Sequence, residues 1–243
     1  LNKVNFMFKI IFSILIWPVW YVFFIPSLIL LLLVIIIVPR NSLFYFIRPF
    51  CWLSCFFAGQ WLKKENDLSH DIEPPYIYMF NHVSMFDQFM IGAYIPHYIT
   101  AVAAIEVFKY PIWGFIIRKY GVIPIIRQKI KKAIGSLKLA EDAINKGVSF
   151  LISPEGTRTL TGQMGPFKKG PFHLSKNTGA TIIPVGLIGA FNAKNKRDWR
   201  LTPGKLIIKF GDPIRSNQFK SMTVEELRDL VKLKIKNLID WGD

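Results

Sequence analysis

A run of apolar residues without a single charged side chain extends from residue 10 to residue 38, and it constrains the chain more than any other feature. Residues 28–38 are almost wholly Leu, Ile and Val. About 20 apolar residues cross the hydrocarbon of a bilayer, so the run is long enough for one crossing. It is too long for the core of a signal peptide, and Val38-Pro39-Arg40 follows it instead of a small-residue cleavage site. Pro18 and Pro26 interrupt it, each removing a backbone donor. Lys3 and Lys9 precede the run, and Arg40 and Arg48 follow it. A single span would leave one basic flank on the wrong side under the positive-inside tendency. A re-entrant hairpin turning near the prolines, or a deep interfacial pair, keeps both flanks in the cytoplasm and is the favoured reading. A second apolar block, residues 44–61, carries Trp52, Phe56, Phe57 and Trp61, which suit the headgroup layer or a helix packed on a core.

The formal charge of +15 implies an anionic partner. No zinc-finger spacing and no RNA-binding signature accompanies it, so the bilayer surface is favoured over nucleic acid. Each Lys or Arg close to an anionic leaflet contributes roughly 1 kcal/mol. The only cysteines, Cys51 and Cys55, fall on one helical face with no second pair to complete a zinc site. They read as buried or lipid-facing free thiols, and no metal is expected.

Residues 1–62 are accordingly assigned to a membrane anchor with interfacial helices, and residues 63–243 to a catalytic domain. From Trp61 to Pro75 the composition turns polar and reads as a linker or exposed loop. Short apolar runs at 76–80, 100–104, 122–125, 149–153, 181–187 and 205–210 then read as strands. A helix is expected over 128–146, where Ile130, Ile134, Leu137, Ala140 and Ile144 recur at helical spacing and Gly147 supplies the stop. The last helix opens on Thr223-Val-Glu-Glu226, a capping box. Strands alternating with helices predict an α/β fold, a mixed and largely parallel sheet flanked by helices.

Directly after the first of these strands comes Asn81-His82-Val83-Ser84-Met85-Phe86-Asp87. An alcohol is a poor nucleophile until its proton leaves, and histidine can take and return a proton at neutral pH. It works best when a carboxylate holds the opposite ring nitrogen, so His82 and Asp87 form a candidate base and its orienting partner if the turn between them is tight. After the strand ending at Ser153 comes Pro154-Glu155-Gly156-Thr157-Arg158. Gly156 lets backbone amides approach a phosphate, Thr157 can add a hydroxyl donor, and Arg158 offers a planar fork. Glu155 cannot hold phosphate; it would bond a glycerol hydroxyl or fix the arginines. Arg127 closes Gly121-Val-Ile-Pro-Ile-Ile-Arg127, Thr181-Ile-Ile-Pro184-Val-Gly186 reads as a buried strand shaping the pocket, and Lys168 and Lys169 could add positive potential.

These four blocks, in this order over roughly residues 76–190, resemble the 1-acylglycerol-3-phosphate acyltransferase family within the glycerolipid acyltransferases. The resemblance implies His82 as general base and Asp87 as its partner. It implies Arg127, Glu155, Gly156 and Arg158 as the acceptor's phosphate and glycerol site. It further implies an acyl-CoA or acyl-carrier-protein donor, no cofactor or metal, and a reaction at the cytoplasmic face of the membrane. The expected reaction is acylation of the sn-2 hydroxyl of lysophosphatidic acid to phosphatidic acid. Glycerol 3-phosphate or another lyso-lipid as acceptor, or a non-catalytic lipid-binding role, are the alternatives. Three positions depart from the family pattern: Ile126 stands where an acidic residue is frequent, Ala103-Ala104-Ile105 precede Glu106 where lysines are frequent, and Ser153 replaces a common aromatic.

Overall fold

The computed structural model of the chain describes residues 3–67, 73–126 and 130–240. Helix α1 (Lys3–Ile37) runs unbroken through Pro18 and Pro26, so the turn expected near the prolines is not there. A proline forfeits one backbone hydrogen bond, whereas a reversal in apolar surroundings would strand several polar groups, which is why the helix continues. The chain reverses instead over residues 38–43, where Pro39 leads into a short 3-10 turn (Arg40–Ser42). Helix α2 (Phe44–Phe57) then returns antiparallel to α1. Phe23 stacks on Phe57 at 4.5 Å between ring centroids, Phe24 lies 5.5 Å from Phe50, and the Trp20 indole N–H donates to the Ser54 carbonyl at 2.9 Å.

Three hydrogen-bonding side chains of α1, Ser13, Trp17 and Trp20, lie on its inner stripe. Leu201 N–H donates to Ser13 Oγ at 2.8 Å, and Trp17 Nε1 donates to the Trp199 carbonyl at 3.0 Å. Residues 13, 17 and 20 are spaced for one helical face. Along the same helix Phe12, Ile16, Phe23, Phe24, Leu31 and Ile35 pack against the core. The opposite face, including Ile14, Val22, Leu30, Leu33 and Ile37, is exposed.

Strand β1 (Gln60–Lys64) follows α2 and pairs in parallel with β7 (Gly204–Phe210). This segment was expected to be linker, and the domain boundary drawn at residue 62 falls inside it. Lys63 and Lys64 disguised it, because they run directly into the polar segment that follows. Next come β2 (Tyr76–Phe80), α3 (Asp87–Tyr94), β3 (Ile99–Ala104), α4 (Pro111–Tyr120) and β4 (Ile123–Ile125). They are followed by α5 (Ile130–Asn145), β5 (Ser149–Ile152), α6 (Gly170–Thr178), β6 (Thr181–Ile188), α7 (Ala190–Ala193), β7, α8 (Ser216–Phe219) and α9 (Val224–Asp240).

The sheet has the order β1-β7-β6-β2-β5-β3-β4, with every neighbouring pair parallel except β6–β7. It is the mixed, largely parallel sheet flanked by helices expected from the alternation of runs. Strand β2 is buried on both faces: Tyr76, Tyr78 and Phe80 join the cluster with α1, α2 and α3, while Ile77 and Met79 join that with α5, α6 and α9. The apolar N-terminal helices are therefore one layer of the molecule's own core. One expected core position fails, since Ile134 is exposed. Helix α5 begins over β4, the last strand in the sheet order, where Ser136 Oγ donates to the Pro124 carbonyl, and among the described residues no further strand lies beyond to cover that face.

Candidate active site

Strands β6, β2 and β5 are adjacent and parallel, so the loops after them gather at one edge of the sheet, where α/β folds present functional groups. The loop after β2 carries His82. Its Nδ1 lies 2.7 Å from Oδ2 of Asp87, the first residue of α3. That oxygen also accepts the backbone N–H of Val83 (2.8 Å) and of Ser84 (2.9 Å). Three consecutive residues are thus wrapped around one carboxylate oxygen, which is the tight turn the spacing required. Asp87 is 1% exposed and His82 24%. A buried carboxylate only accepts, so Nδ1–H donates to it and Nε2 keeps its lone pair. Among the described residues Nε2 has no hydrogen-bond partner.

Both sides of the His82 backbone are braced by the loop after β5. His82 N–H donates to Glu155 Oε1 at 2.8 Å, and Thr159 N–H donates to the His82 carbonyl at 2.8 Å. Glu155 Oε2 accepts the N–H of Gly165 at 2.8 Å. Each carboxylate oxygen therefore holds a backbone amide, and among the described residues no arginine meets Glu155. Glu155 was expected to bond a glycerol hydroxyl or fix the arginines; among the described residues it is buried and clamps the backbone at His82 and Gly165. Burial raises its pKa above the usual glutamate value, opposed in part by the two amides.

Gly156 has φ +71°, and a β-carbon there would lie 3.1 Å from Lys168 Cε and Nζ. The glycine lets the Lys168 side chain cross the loop at close range. Lys168 N–H also donates to the Pro154 carbonyl at 2.8 Å. Lys169 points elsewhere and pairs with Glu225 at the start of α9. Thr157 is exposed, and Arg158 is half-buried with no ion-pair partner among the described residues. Arg127 lies outside the described residues; β4 before it ends at the same sheet edge.

Two participants carried no expectation of their own. Asn81 bridges to β6, as detailed below, and was visible only as part of a motif. Lys194, after α7, receives the Ser84 hydroxyl on its carbonyl at 2.7 Å. No local pattern marks it, because the loop that brings it here is about 110 residues away in the chain. Cys51 and Cys55 are buried free thiols, as expected.

A family model described as acyltransferase matches residues 59–188, just over half of the chain. The chain belongs to the acyltransferase family. It is 32% identical over 156 residues to a 1-acyl-sn-glycerol-3-phosphate acyltransferase of Cocos nucifera, covering 64% of this chain and 51% of that protein. With the enzyme of the same name from Limnanthes douglasii it shares 35% identity over 158 residues, 65% of this chain and 55% of that one. The chain thus spans about half the length of these curated relatives. Its fold matches the crystal structure of the 1-acyl-sn-glycerophosphate (LPA) acyltransferase PlsC from Thermotoga maritima, with a TM-score of 0.77 and 24% identity over 99% of this chain and 97% of that one.

Proposed function

We propose that the chain acylates the sn-2 hydroxyl of lysophosphatidic acid, taking the acyl group from acyl-CoA or acyl-carrier-protein and yielding phosphatidic acid and the free thiol. The observation that carries this reading is the His82–Asp87 pair, buried on the aspartate side and open at Nε2, beside the half-buried Arg158. In the reaction His82 Nε2 removes the acceptor's hydroxyl proton as the oxygen attacks the thioester carbonyl. The tetrahedral intermediate collapses by breaking the C–S bond, and the imidazolium returns its proton to the departing sulfur. Asp87 holds the ring in the tautomer that can accept and stabilises the imidazolium. General-base catalysis contributes typically about 10²–10⁴-fold, and alignment of the two substrates supplies more. Arg158 grips the acceptor phosphate.

Association with the cytoplasmic face of a membrane is part of the proposal. Residues 5–37 are long and apolar enough to cross a bilayer. Yet α1 touches the core from Phe12 to Ile35, about 35 Å of helix at 1.5 Å per residue. That length exceeds the roughly 30 Å of hydrocarbon, so a crossing helix could not keep these contacts with a domain outside the bilayer. The favoured seating is in the plane of one leaflet, outer face down, with α2 presenting Tyr45, Trp52 and Phe56 to the headgroups. The test is a panel of lyso-acceptors incubated with labelled acyl-CoA or acyl-carrier-protein, using the full chain in vesicles. Transfer to lysophosphatidic acid that is absent in His82→Ala supports the reading; no transfer to any acceptor overturns it.

A further inference from the structure

The loop after β6 brings a lysine to the catalytic turn. Gly189 makes the sharp turn at φ +85°, and a β-carbon there would lie 2.2 Å from the Lys205 carbonyl oxygen, so only glycine fits. The turn folds α7 across the strand ends, with Ala190 and Ala193 buried. Lys194 follows, tied by its carbonyl to the hydroxyl of Ser84, whose own N–H rests on Asp87. On the other flank of His82, Thr159 N–H fixes the segment that carries Arg158. The two cations therefore come from separate loops whose backbones are both anchored to the His82–Asp87 turn, close enough for Arg158 to repel Lys194.

Neither has a carboxylate of its own: among the described residues no carboxylate pairs with Arg158 or Lys194. Asp198, which attracts Lys194, has both oxygens engaged by the Arg200 guanidinium at 2.8–3.1 Å. The Lys194 ammonium donates to the neutral carbonyl of Asn195 at 2.8 Å. Burial lowers the Lys194 pKa, and repulsion from Arg158 lowers it further. Two half-buried like charges set together oppose each other unless an anion sits between them.

We propose that Lys194 is the second cation of the acceptor site, closing with Arg158 on one phosphate group and selecting a dianionic phosphate monoester over a phosphodiester headgroup. This rests on the proposed acyl transfer to a lysophospholipid, and it names the residue that recognises the headgroup. A monoester offers two charges and three free oxygens to two donors, whereas a diester offers one charge and adds bulk where Lys194 sits.

The test compares wild type with Lys194→Gln and Lys194→Arg in vesicles, assaying lysophosphatidic acid and lysophosphatidylethanolamine as acceptors. Loss of a charged hydrogen bond should raise the apparent KM for lysophosphatidic acid about ten- to a hundredfold in Lys194→Gln, with little change in kcat. The preference over the diester should shrink, and Lys194→Arg should keep most of both. Far-UV circular dichroism confirms that the variants fold. An unchanged KM and an unchanged acceptor preference in folded Lys194→Gln overturn the inference while leaving acyl transfer standing. Binding of lysophosphatidic acid without donor, followed by tryptophan fluorescence, separates the two claims. Lysine-dependent binding in a chain that transfers nothing keeps this inference and sinks the catalytic one.

Discussion

Asn81 and Leu187 exchange two hydrogen bonds through one side chain: Leu187 N–H donates to Asn81 Oδ1 at 2.8 Å, and Asn81 Nδ2 donates to the Leu187 carbonyl at 2.9 Å. The β2–β6 ladder ends in register at Phe80 opposite Val185, and the amide prolongs it by one rung. Asn81 thereby pins the loop at the residue before His82. Asn81→Asp replaces the donor by a second acceptor facing a buried carbonyl. It should destabilise the fold by about 1–3 kcal/mol, the usual consequence of an unsatisfied buried group, and lower kcat. Thermal unfolding together with steady-state kinetics checks both.

For the pair itself, His82→Ala should abolish acyl transfer, a loss of about 10²–10⁴-fold, with an unchanged melting temperature. Asp87→Asn keeps an oxygen for the three donors but removes the charge that stabilises the imidazolium, so it should lower kcat strongly while the chain still folds. Asp87→Ala should also destabilise, by about 1–3 kcal/mol, because it strands the Val83 and Ser84 amides. An Asp87→Asn enzyme near wild-type kcat would remove the carboxylate from the mechanism.

Glu155→Gln tests the clamp. The amide side chain can accept only one of the two backbone N–H groups, so His82 or Gly165 loses its partner. The expected signature is a lower kcat with the acceptor KM nearly constant; a substrate contact would instead raise KM. The pH dependence has a definite sign. Because burial raises the folded pKa of Glu155, the folded state holds its proton more tightly. The stability this confers is complete below the ordinary value of 4.5 and is lost as pH rises through the folded value. Acidification across that interval should therefore stabilise wild type relative to Glu155→Gln, which cannot titrate, as read by melts at stepped pH.

Arg158→Ala should raise the apparent KM for a phosphate-bearing acceptor about ten- to a hundredfold, from loss of a charged hydrogen bond, and leave the KM for the acyl donor nearly unchanged. Varying each substrate at saturation of the other measures this.

The packing of α2 on α3 turns on Gly92, where a β-carbon would lie 2.8 Å from Cys51 Sγ. Gly92→Ala should cost about 1–3 kcal/mol from overpacking, offset by roughly 1 kcal/mol of helix propensity. Cys51→Ala removes the sulfur and should rescue it. A double-mutant cycle in chemical denaturation gives the coupling directly, and additive effects would show that the two helices do not meet there.

Much of the α/β domain was legible because each inner strand is a short apolar run bounded by turns, a pattern that needs no tertiary information. Five of the expected strands coincide with β2 to β6 to within a residue at each end, and β7 with the sixth. β1 was not legible: its lysines merge with the polar residues after it, and the pairing with β7 that makes it a strand is a property of the assembled sheet. Nor was the inner face of α1, where nearly every residue is apolar and periodicity has nothing to contrast. Ser13, Trp17 and Trp20 share one stripe, but the other polar residues of the helix, such as the exposed Asn5 and Tyr21, blur that signal.

At the site, the five-residue step from His82 to Asp87 was compatible with an imidazole–carboxylate pair, since both lie on one turn and local backbone geometry can join them, as the 2.7 Å contact shows. The job of Glu155 was decided only by folding, because its partners His82 and Gly165 lie 73 and 10 residues away. Lys194 likewise has meaning only where β6 lies beside β2. Chemistry within a turn is written in neighbouring residues; chemistry shared between strands depends on which strands the hydrophobic core sets side by side, and no local spacing encodes that.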